Sequence, residues 1–380
     1  MNAQKRINWV DGMLINKTHF KGMEDYLLSK LHTSVQLLSS GGYGIINYLN
    51  DETEYPLIRI SVDSSDSRNQ KIIVEQMEFY AVTPSGTLMD ISNENFFAQK
   101  TSKEVSKSQV VVNVEEQKIS HGDPLYLVLL IQPFETVGIG FTGDNEEPLR
   151  LPFCCPVAEL KCVSCNSDTE NIVGPNHFPI AKIKIINHRL EIDRNYIPPC
   201  FSVSAHHRLK NKSLALIDGM LKISNNIDAF MQGNQGASEQ NTKFIREVYF
   251  VLYPKLIEYT EFLRDEDDIK PREIFRIIRV IALQFKKLLL CNSDAYAFFT
   301  ESWNSKYGIN FHSFSTETDC LNNIKYYDIV ETVESCEKIL AGYLIKITEI
   351  KSYSLSGYQP RMPQEFIEPP EPESFDIELK

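Results

Sequence analysis

The residues with the most chemical potential in this chain are four cysteines in one short stretch. Cys154 and Cys155 are adjacent, and Cys162 and Cys165 have the C-x-x-C spacing of a zinc knuckle. Four thiolates can close a tetrahedral structural site, so these residues are a candidate zinc set. The alternative is that they are free thiols, because cysteines commonly pack as small apolar residues. The adjacency of the first pair, with a proline on either side, restricts the geometry that a metal needs.

A second candidate is the run from Gly138 to Gly143, which matches G-x-G-x-x-G and follows a predicted strand. A dinucleotide site needs a helix N-terminus directly after such a loop to receive the phosphates. Here the acidic residues Asp144, Glu146 and Glu147 come next and would repel them. The run is therefore interpreted as a glycine-rich loop.

Two further groups suggest metals only at first sight. His206 and His207 are adjacent and cannot share one side of a helix, so a common metal is not expected. The acidic run 265–268 lacks the glycine and the twelve-residue spacing of a calcium loop. No serine elbow, HExxH motif, P-loop or Cys–His pairing is present in the sequence. The sequence predicts a protein that is not an enzyme and has no cofactor.

The composition limits the classes of partner and the cellular compartment that we expect for this protein. The chain is 42% hydrophobic and carries a net charge of −12, which argues against broad contact with nucleic acid or an anionic membrane surface. The longest apolar run, Leu125 to Ile131, is too short for a bilayer, and the N-terminus has no apolar leader. Eight cysteines without a secretion signal favour a reducing compartment. We therefore expect a cytoplasmic protein without direct membrane insertion.

The elements that must position any site are divided at Tyr196, Ile197, Pro198, Pro199 and Cys200, called the seam below. Neither a helix interior nor a central strand runs through two adjacent prolines. Apolar residues recur in a strand-like pattern before the seam and every three or four positions after it. The predicted units are 1–200, 201–350 and a tail, 351–380.

The first unit is predicted to hold one helix and an antiparallel β-sandwich. Asn16 or Thr18 can cap the helix, and Gly41-Gly42 can end it. Its apolar face is expected to pack on a sheet. The residues of that face are Phe20, Met23, Leu27, Leu31, Val35 and Leu38. Runs of alternating and buried apolar residues between 58 and 192 predict the strands.

The second unit is predicted to be a bundle of four helices with 3.5-residue spacing. Pro254 should kink the second helix, and Pro271 suits the first turn of the third. The fourth and most regular stripe lies between Ile329 and Ile347. Three residues lie off the stripes and either widen the core or form an interface with other copies, namely Ile277, Leu289 and Leu344.

The tail is rich in proline and acidic residues and too polar to fold alone. It is either a disordered tail or a docking peptide. The docking alternative rests on Phe375, Ile377 and Leu379, which alternate as the residues of an added strand would.

Four stretches of the sequence, in order, resemble parts of one known protein family. The first, RINWVDGMLINKTHF, contains Trp9, Gly12, Met13, His19 and Phe20. AVTPSGTLMDIS resembles the family's proline–glycine hairpin, and FPIAKIKIINHRLEIDRNYIPPC resembles the strand pair that leads into the seam. YPKLIEYTEFLRDEDDIKPREIFRIIRVIALQF resembles its bundle helices. Together the four stretches resemble the TssK family, the trimeric baseplate adaptors of type VI secretion systems. The resemblance covers about residues 5 to 350.

This resemblance implies a shoulder like that of phage receptor-binding proteins, followed by a helical neck in a homotrimer. It further implies docking to the baseplate wedge proteins TssG and TssF, and a link to the membrane-anchored complex at the cytoplasmic face of the bacterial inner membrane. Family members usually carry a C-terminal head, where this sequence has only the tail after Ile347. We therefore expect a divergent member with a different membrane contact, the tail being the candidate.

Two other functions stay open at this point. A receptor-binding protein of a phage-tail-like contractile particle would share the shoulder but recognise a cell surface. A zinc-binding protein would use the cysteines of residues 154–165. A trimeric mass and co-purification with wedge proteins would indicate the adaptor. Binding to cells would indicate the receptor-binding protein, and stoichiometric zinc would indicate the zinc-binding protein.

Overall fold

The computed structural model of the chain describes residues 5–46, 57–65, 70–92, 109–114, 122–140, 151–233, 240–265, 269–291, 308 and 310–349. Two antiparallel sheets precede a series of helices, which confirms the predicted α+β class. The change from strands to helices occurs at the seam, as the periodicity predicts.

Helix α1, Lys17–Leu38, begins at the predicted cap. The Asn16 side chain accepts hydrogen bonds from the backbone N–H groups of Thr18 and His19. His19 Nδ1 accepts a hydrogen bond in return from the Asn16 N–H. This reciprocal capping box gives hydrogen-bond partners to N–H groups at the helix start that have none within the helix. The expectation that α1 buries its apolar face on a sheet is wrong. None of its residues is buried by the part of the chain that the structure describes.

The first sheet is built around its longest strand, β3. Strands β1 and β2 flank β3 along the sheet, and β4 and β5 also pair with it, all antiparallel. The turn from Thr83 to Thr87 joins β3 to β4, as its proline and glycine predict. The strands are β1 Gly44–Ile46, β2 Leu57–Asp63, β3 Lys71–Val82, β4 Leu88–Ile91 and β5 Val110–Asn113.

The second sheet has the order β7-β6-β8-β9 and is also antiparallel. The last two strands form the predicted hairpin across Asn187 and His188, which both have positive φ. Inward-facing side chains of both sheets belong to one hydrophobic core that continues into the helices. The elements are β6 Leu125–Ile139, β7 Phe153–Ser164, a one-turn helix α2 Thr169–Ile172, β8 His177–Ile186 and β9 Arg189–Ile192.

After a 3-10 turn, Val203–Ala205, the regular elements of the described residues are all helices. A π-helical segment, Lys338–Leu344, connects the last two helices without a break. The helices are α3 His207–Gly233, α4 Gln240–Asp265, α5 Pro271–Leu290, α6 Phe311–Cys320, α7 Val330–Glu337 and α8 Ile345–Thr348. None of the helices in the described ranges has the length and apolar character needed to cross a bilayer.

Most of the predicted helical stripes are buried, including all of the α3 stripe from Leu216 to Phe230. Ile277, Leu289 and Leu344 are buried too, so they widen the core of this chain. Three details of the prediction differ: Val251 is exposed, α6 was not predicted, and the fourth helix contains the π-helical segment. Pro254 lies inside α4, and the kink expected there stays a prediction.

Candidate functional site

The most unusual surface of the molecule is the apolar face of α1. Five of its six predicted residues are exposed, namely Phe20, Met23, Leu27, Leu31 and Leu38, and the sixth, Val35, is half-buried. Phe20 and Leu27 each retain 57% of their accessible surface. Monomeric proteins rarely leave a contiguous apolar stripe in water, and such a stripe commonly marks a protein–protein contact. This face is the first candidate site.

The opposite side of α1 rests on the β3–β4 turn. Gln36 Nε2 donates a hydrogen bond to the Pro84 carbonyl over 3.3 Å. A Cβ atom at Gly86 would lie only 2.1 Å from the His32 carbonyl oxygen, so glycine permits this close approach. His32 also lies 5.8 Å from Phe134, ring centroid to ring centroid, and its burial lowers its pKa. The sheet therefore holds α1 by its polar side and turns the apolar side outward.

The five N-terminal positions singled out by the family motif lie at the start of this surface. The Trp9 ring is 6.1 Å from the ring of His19, which belongs to the cap of α1. Gly12 has a φ of +77° in a turn, and Met13 is half-buried just after it. Phe20 is the first residue of the exposed face. The motif thus sets how the chain enters α1.

The seam is the second candidate site, and all five of its residues are buried. The Ile45 N–H donates to the Pro199 carbonyl over 2.8 Å, and the Phe201 N–H donates back to the Ile45 carbonyl over 2.8 Å. Gly44 has φ +114°, and a Cβ there would lie 2.2 Å from the Pro199 carbonyl oxygen. Burial raises the pKa of the Cys200 thiol, which packs as an apolar residue here. The seam is thus fixed to strand β1.

A buried polar cluster, called the polar lock below, joins the second sheet to the segment before α7. Lys182 Nζ on β8 lies 2.5 Å from Asp328 Oδ2, and the Tyr126 hydroxyl on β6 donates to the same oxygen over 2.7 Å. From the seam, the Tyr196 hydroxyl donates to the Tyr327 carbonyl over 2.7 Å. The carboxylate thereby gains the partners that a buried charge requires.

Electrostatics in the polar lock favour the ion pair. Burial alone would lower the pKa of Lys182, but the hydrogen bond and the charge of Asp328 outweigh it and raise that pKa. Burial and the neighbouring Asp328 also raise the pKa values of Tyr126 and Tyr196. Both phenols are therefore protonated donors at neutral pH. The arrangement can fix the angle between the sheets and the helices, and it contains no group poised as a nucleophile.

Sequence reasoning identified Tyr196 but missed Tyr126, Lys182 and Asp328. The hydroxyl–carboxylate and ammonium–carboxylate contacts join residues 202 and 146 positions apart in sequence. No local spacing or periodicity carries that information. The only available signal was the presence of two lysines, Lys182 and Lys184, in a largely apolar strand.

The four candidate zinc ligands do not come together. None of the four forms a disulfide bond within the described part of the chain. Cys154, Cys155 and Cys162 lie along β7, the last of them seven residues beyond the second, which is about 23 Å in a strand. Cys165 follows the end of β7, and burial raises its pKa. No group of three or more potential ligands that could hold a metal occurs in the described ranges. The candidate zinc set is therefore not assembled.

The remaining candidates contribute no site. Gly138 lies near the end of strand β6 and Gly140 directly follows it, while 141–143 lie outside the described residues. The acidic run is described only at Asp265, the end of α4. His206 is half-buried, its Nδ1 atom is buried without a hydrogen-bond partner among the described residues, and burial lowers its pKa to about 4. Phe375, Ile377 and Leu379, the candidate docking residues of the tail, lie outside the described residues.

Comparisons with known proteins give matches among solved structures. No protein-family model matches the sequence, and the curated proteins show no match. A crystal structure of TssK is 12% identical with a TM-score of 0.47, over 89% of this chain and 69% of that one. TssK from the EAEC type VI secretion system, bound to a nanobody, is 11% identical with a TM-score of 0.44, over 86% of this chain and 99% of that one. A chain of a TssK–TssF–TssG baseplate subcomplex is 14% identical with a TM-score of 0.38, over 89% of this chain and 99% of that one. These structures come from the family that the four sequence stretches resemble.

Proposed function

We propose that this chain is a non-enzymatic structural adaptor of a type VI secretion baseplate. The observation that carries the proposal is the apolar face of α1, which the sheet holds outward. An exposed amphipathic helix held by its polar side is costly for an isolated protein but suits one that is assembled into a larger particle. The order of the four TssK-like stretches supports the type VI secretion baseplate as that particle.

In this proposal the chain forms a homotrimer, and its residues before about 200 dock on the wedge proteins TssG and TssF. The two sheets would act as a sandwich shoulder, and residues 201–350 as a neck with a four-helix bundle. The tail would contribute to a contact with the membrane-anchored complex. The assembly would stand at the cytoplasmic face of the inner membrane.

The seam and the polar lock support such a role because both restrict movement between the sheets and the helices. An adaptor must transmit orientation from one end to the other, which requires a fixed angle between its parts. Buried prolines at 198 and 199 restrict the backbone there. The Lys182–Asp328 pair restricts the sheet relative to the helices, because breaking a buried ion pair leaves an uncompensated charge.

The test is co-expression of the chain with TssF and TssG, followed by mass measurement of the purified complex and of the chain alone. We expect a trimer that retains both proteins. A stable monomer that binds neither would contradict the proposal. Saturable binding to whole cells or glycans, without wedge binding, would instead support a receptor-binding protein.

A further inference from the structure

A cavity at the junction of the sheets and the helices has no role in the adaptor proposal. It has a volume of about 400 Å³ and is called the seam pocket below. One wall is the segment from Ser39 to Tyr43, which follows α1, together with Cys200 and Phe201. The other wall is the first half of α5, with Tyr326 closing one end.

The seam pocket is strongly cationic in a chain of net charge −12. Its lining contains one acidic residue, Glu273, and four basic ones, Lys270, Arg272, Arg276 and Arg279. Lys270 is the N-cap residue of α5, and the other four lie in the N-terminal half of that helix, where the helix dipole also favours a negative charge. The pocket therefore concentrates positive potential within one concave site.

Two of the basic residues are held in place by the opposite wall. Lys270 Nζ donates to the Ser39 carbonyl over 3.4 Å and lies 5.6 Å from the centre of the Phe201 ring. Arg272 Nη1 donates to the Ser40 carbonyl over 3.4 Å, and its guanidinium lies 5.3 Å from the centre of the Tyr326 ring. These contacts orient the two cations but leave their charges unneutralised.

The other two basic residues have no anionic partner among the residues that the structure describes. Arg276 is exposed and forms no ion pair within those ranges. The Nε of Arg279 is buried and has no hydrogen-bond partner there. A buried donor without an acceptor costs free energy, so this site is built for an acceptor that comes from elsewhere.

The shape of the cavity limits what that acceptor can be. Guanidinium groups pair best with carboxylate or phosphate oxygens, to which they donate two parallel hydrogen bonds. A single phosphate would leave most of 400 Å³ unfilled, including the rings of Tyr43, Phe201 and Tyr326. A peptide with acidic and apolar side chains fits both the charge and the aromatic walls.

We propose that the seam pocket binds an acidic peptide, and that its occupant is residues 362–379 of this chain. That segment carries six acidic and no basic side chains, and phenylalanine or isoleucine lies beside several of them. The site and the segment are therefore opposite in charge, since the lining carries four cations and one carboxylate and the segment carries six carboxylates. Docking would neutralise the Arg276 and Arg279 charges at the junction.

The segment is within reach of the pocket. Glu349, the last described residue, pairs with Lys222 on α3 over 2.6 Å. His207 is the residue of α3 next to the seam, and Lys222 lies fifteen residues further along the helix. At 1.5 Å per residue, Glu349 is therefore about 22 Å from the junction. The thirteen residues from 349 to 362 can extend to about 43 Å, which is enough. Five prolines between 359 and 372 favour an extended chain.

Hydrogen–deuterium exchange on the full chain tests the contact. We expect amides of residues 362–379 to exchange at least tenfold more slowly in the unmodified chain than in the Arg276→Gln/Arg279→Gln variant. The matched control, Arg189→Gln/Arg264→Gln, removes two exposed arginines elsewhere and should retain the protection. Equal exchange in the unmodified chain and the pocket variant would overturn the proposal. Unchanged thermal melting of both variants verifies that they fold.

A second measurement separates the peptide from a small anion. In a full chain whose six acidic residues between 365 and 378 are replaced by the corresponding amides, a labelled synthetic peptide of residues 362–379 should bind saturably. Adding Arg276→Gln and Arg279→Gln to this chain should weaken binding at least tenfold. If the peptide fails to bind while inorganic phosphate raises the melting temperature, the pocket is a phosphate site and the proposed occupant is wrong. Failure here leaves the adaptor proposal intact, because that proposal rests on α1.

Discussion

Helices α1 and α5 carry the same kind of sequence pattern and have opposite surroundings. Both repeat apolar residues every three or four positions, over 22 and 20 residues. On α5 these residues are buried among the other helices, and Ile274, Ile278 and Leu289 retain no accessible surface. On α1 the equivalent residues face away from the sheets. Spacing therefore determines which residues share a face, and the rest of the chain determines what covers it.

The two helix faces differ in whether their burial accompanies folding of the single chain or association with another molecule. Burial of the α5 face contributes to the stability of the single chain, because its apolar area is removed from water. Burial of the α1 face requires another molecule, so its contribution depends on protein concentration. Substitutions on the α5 face should therefore lower the stability of the single chain, whereas substitutions on the α1 face should weaken assembly. Substitutions at other interior contacts should have intermediate effects on stability.

The largest expected effect is at Leu289, which has 0% of its surface exposed, whereas its neighbour Leu290 has 53%. We expect Leu289→Asp to lower the free energy of unfolding by about 4 kcal/mol or more, because it buries a charge without a partner. Leu290→Asp, the same change one residue later, should cost less than about 1 kcal/mol. Urea unfolding followed by circular dichroism measures both. Similar losses for the two variants would show that the face of α5 is not the core.

The second effect is at the polar lock. Asp328→Ala removes the shared acceptor of Lys182 and Tyr126, and we expect a loss of about 3 kcal/mol in the free energy of unfolding. Glu349→Ala removes a pair with Lys222 whose two side chains are about half exposed, and should cost under about 1 kcal/mol. If both variants lose the same amount in urea unfolding, the polar lock does not hold the sheets to the helices.

The third effect depends on pH and arises at His206, next to the start of α3. Burial, with the nearby positive charge of Arg208, lowers its folded pKa to about 4 from an ordinary value of 6.5. The unfolded state binds the proton first, so this stability is present above pH 6.5 and lost as the pH falls towards 4. We expect the loss to reach about 2 kcal/mol, because the group is partly exposed. His206→Asn should remove this part of the acid dependence of unfolding, whereas His312→Asn, at an exposed position on α6, should leave it unchanged.

The fourth effect is at Gly86, where α1 rests on the β3–β4 turn. An added Cβ would approach the His32 carbonyl to 2.1 Å at a φ of +85°, so Gly86→Ala should cost about 1–2 kcal/mol and displace α1 from the sheet. Gly122→Ala introduces the same methyl group at a positive φ but in open space, and serves as the control for backbone strain. We expect proteolytic cleavage within α1 to accelerate only in the Gly86 variant. Equal cleavage in both would show that close packing at Gly86 does not hold the helix.

Much of the fold could be predicted from the sequence because it depends on local patterns. The Asn16 cap, the first position of α5 at Pro271 and the change from strands to helices at the seam are confirmed. Helix α6 was missed because its ten residues have only a few apolar positions. The direction of the α1 face and the partners of Asp328 depend on contacts between distant parts of the chain. Such contacts have no signature in spacing, so these sites emerge only from the folded structure.

The smallest expected effect on stability, and the one that separates the two helices most sharply, is at Leu31. Leu31→Glu should change the free energy of unfolding of the isolated chain by less than about 0.5 kcal/mol, since the side chain is already half exposed. The same variant should weaken assembly into trimers or with wedge proteins at least tenfold, because it places a charge in an apolar contact. Leu214→Glu, at an equally exposed leucine on α3, is the control and should affect neither quantity. Analytical ultracentrifugation and co-purification measure assembly. Loss of stability without loss of assembly would place the apolar face of α1 inside the single chain, like that of α5.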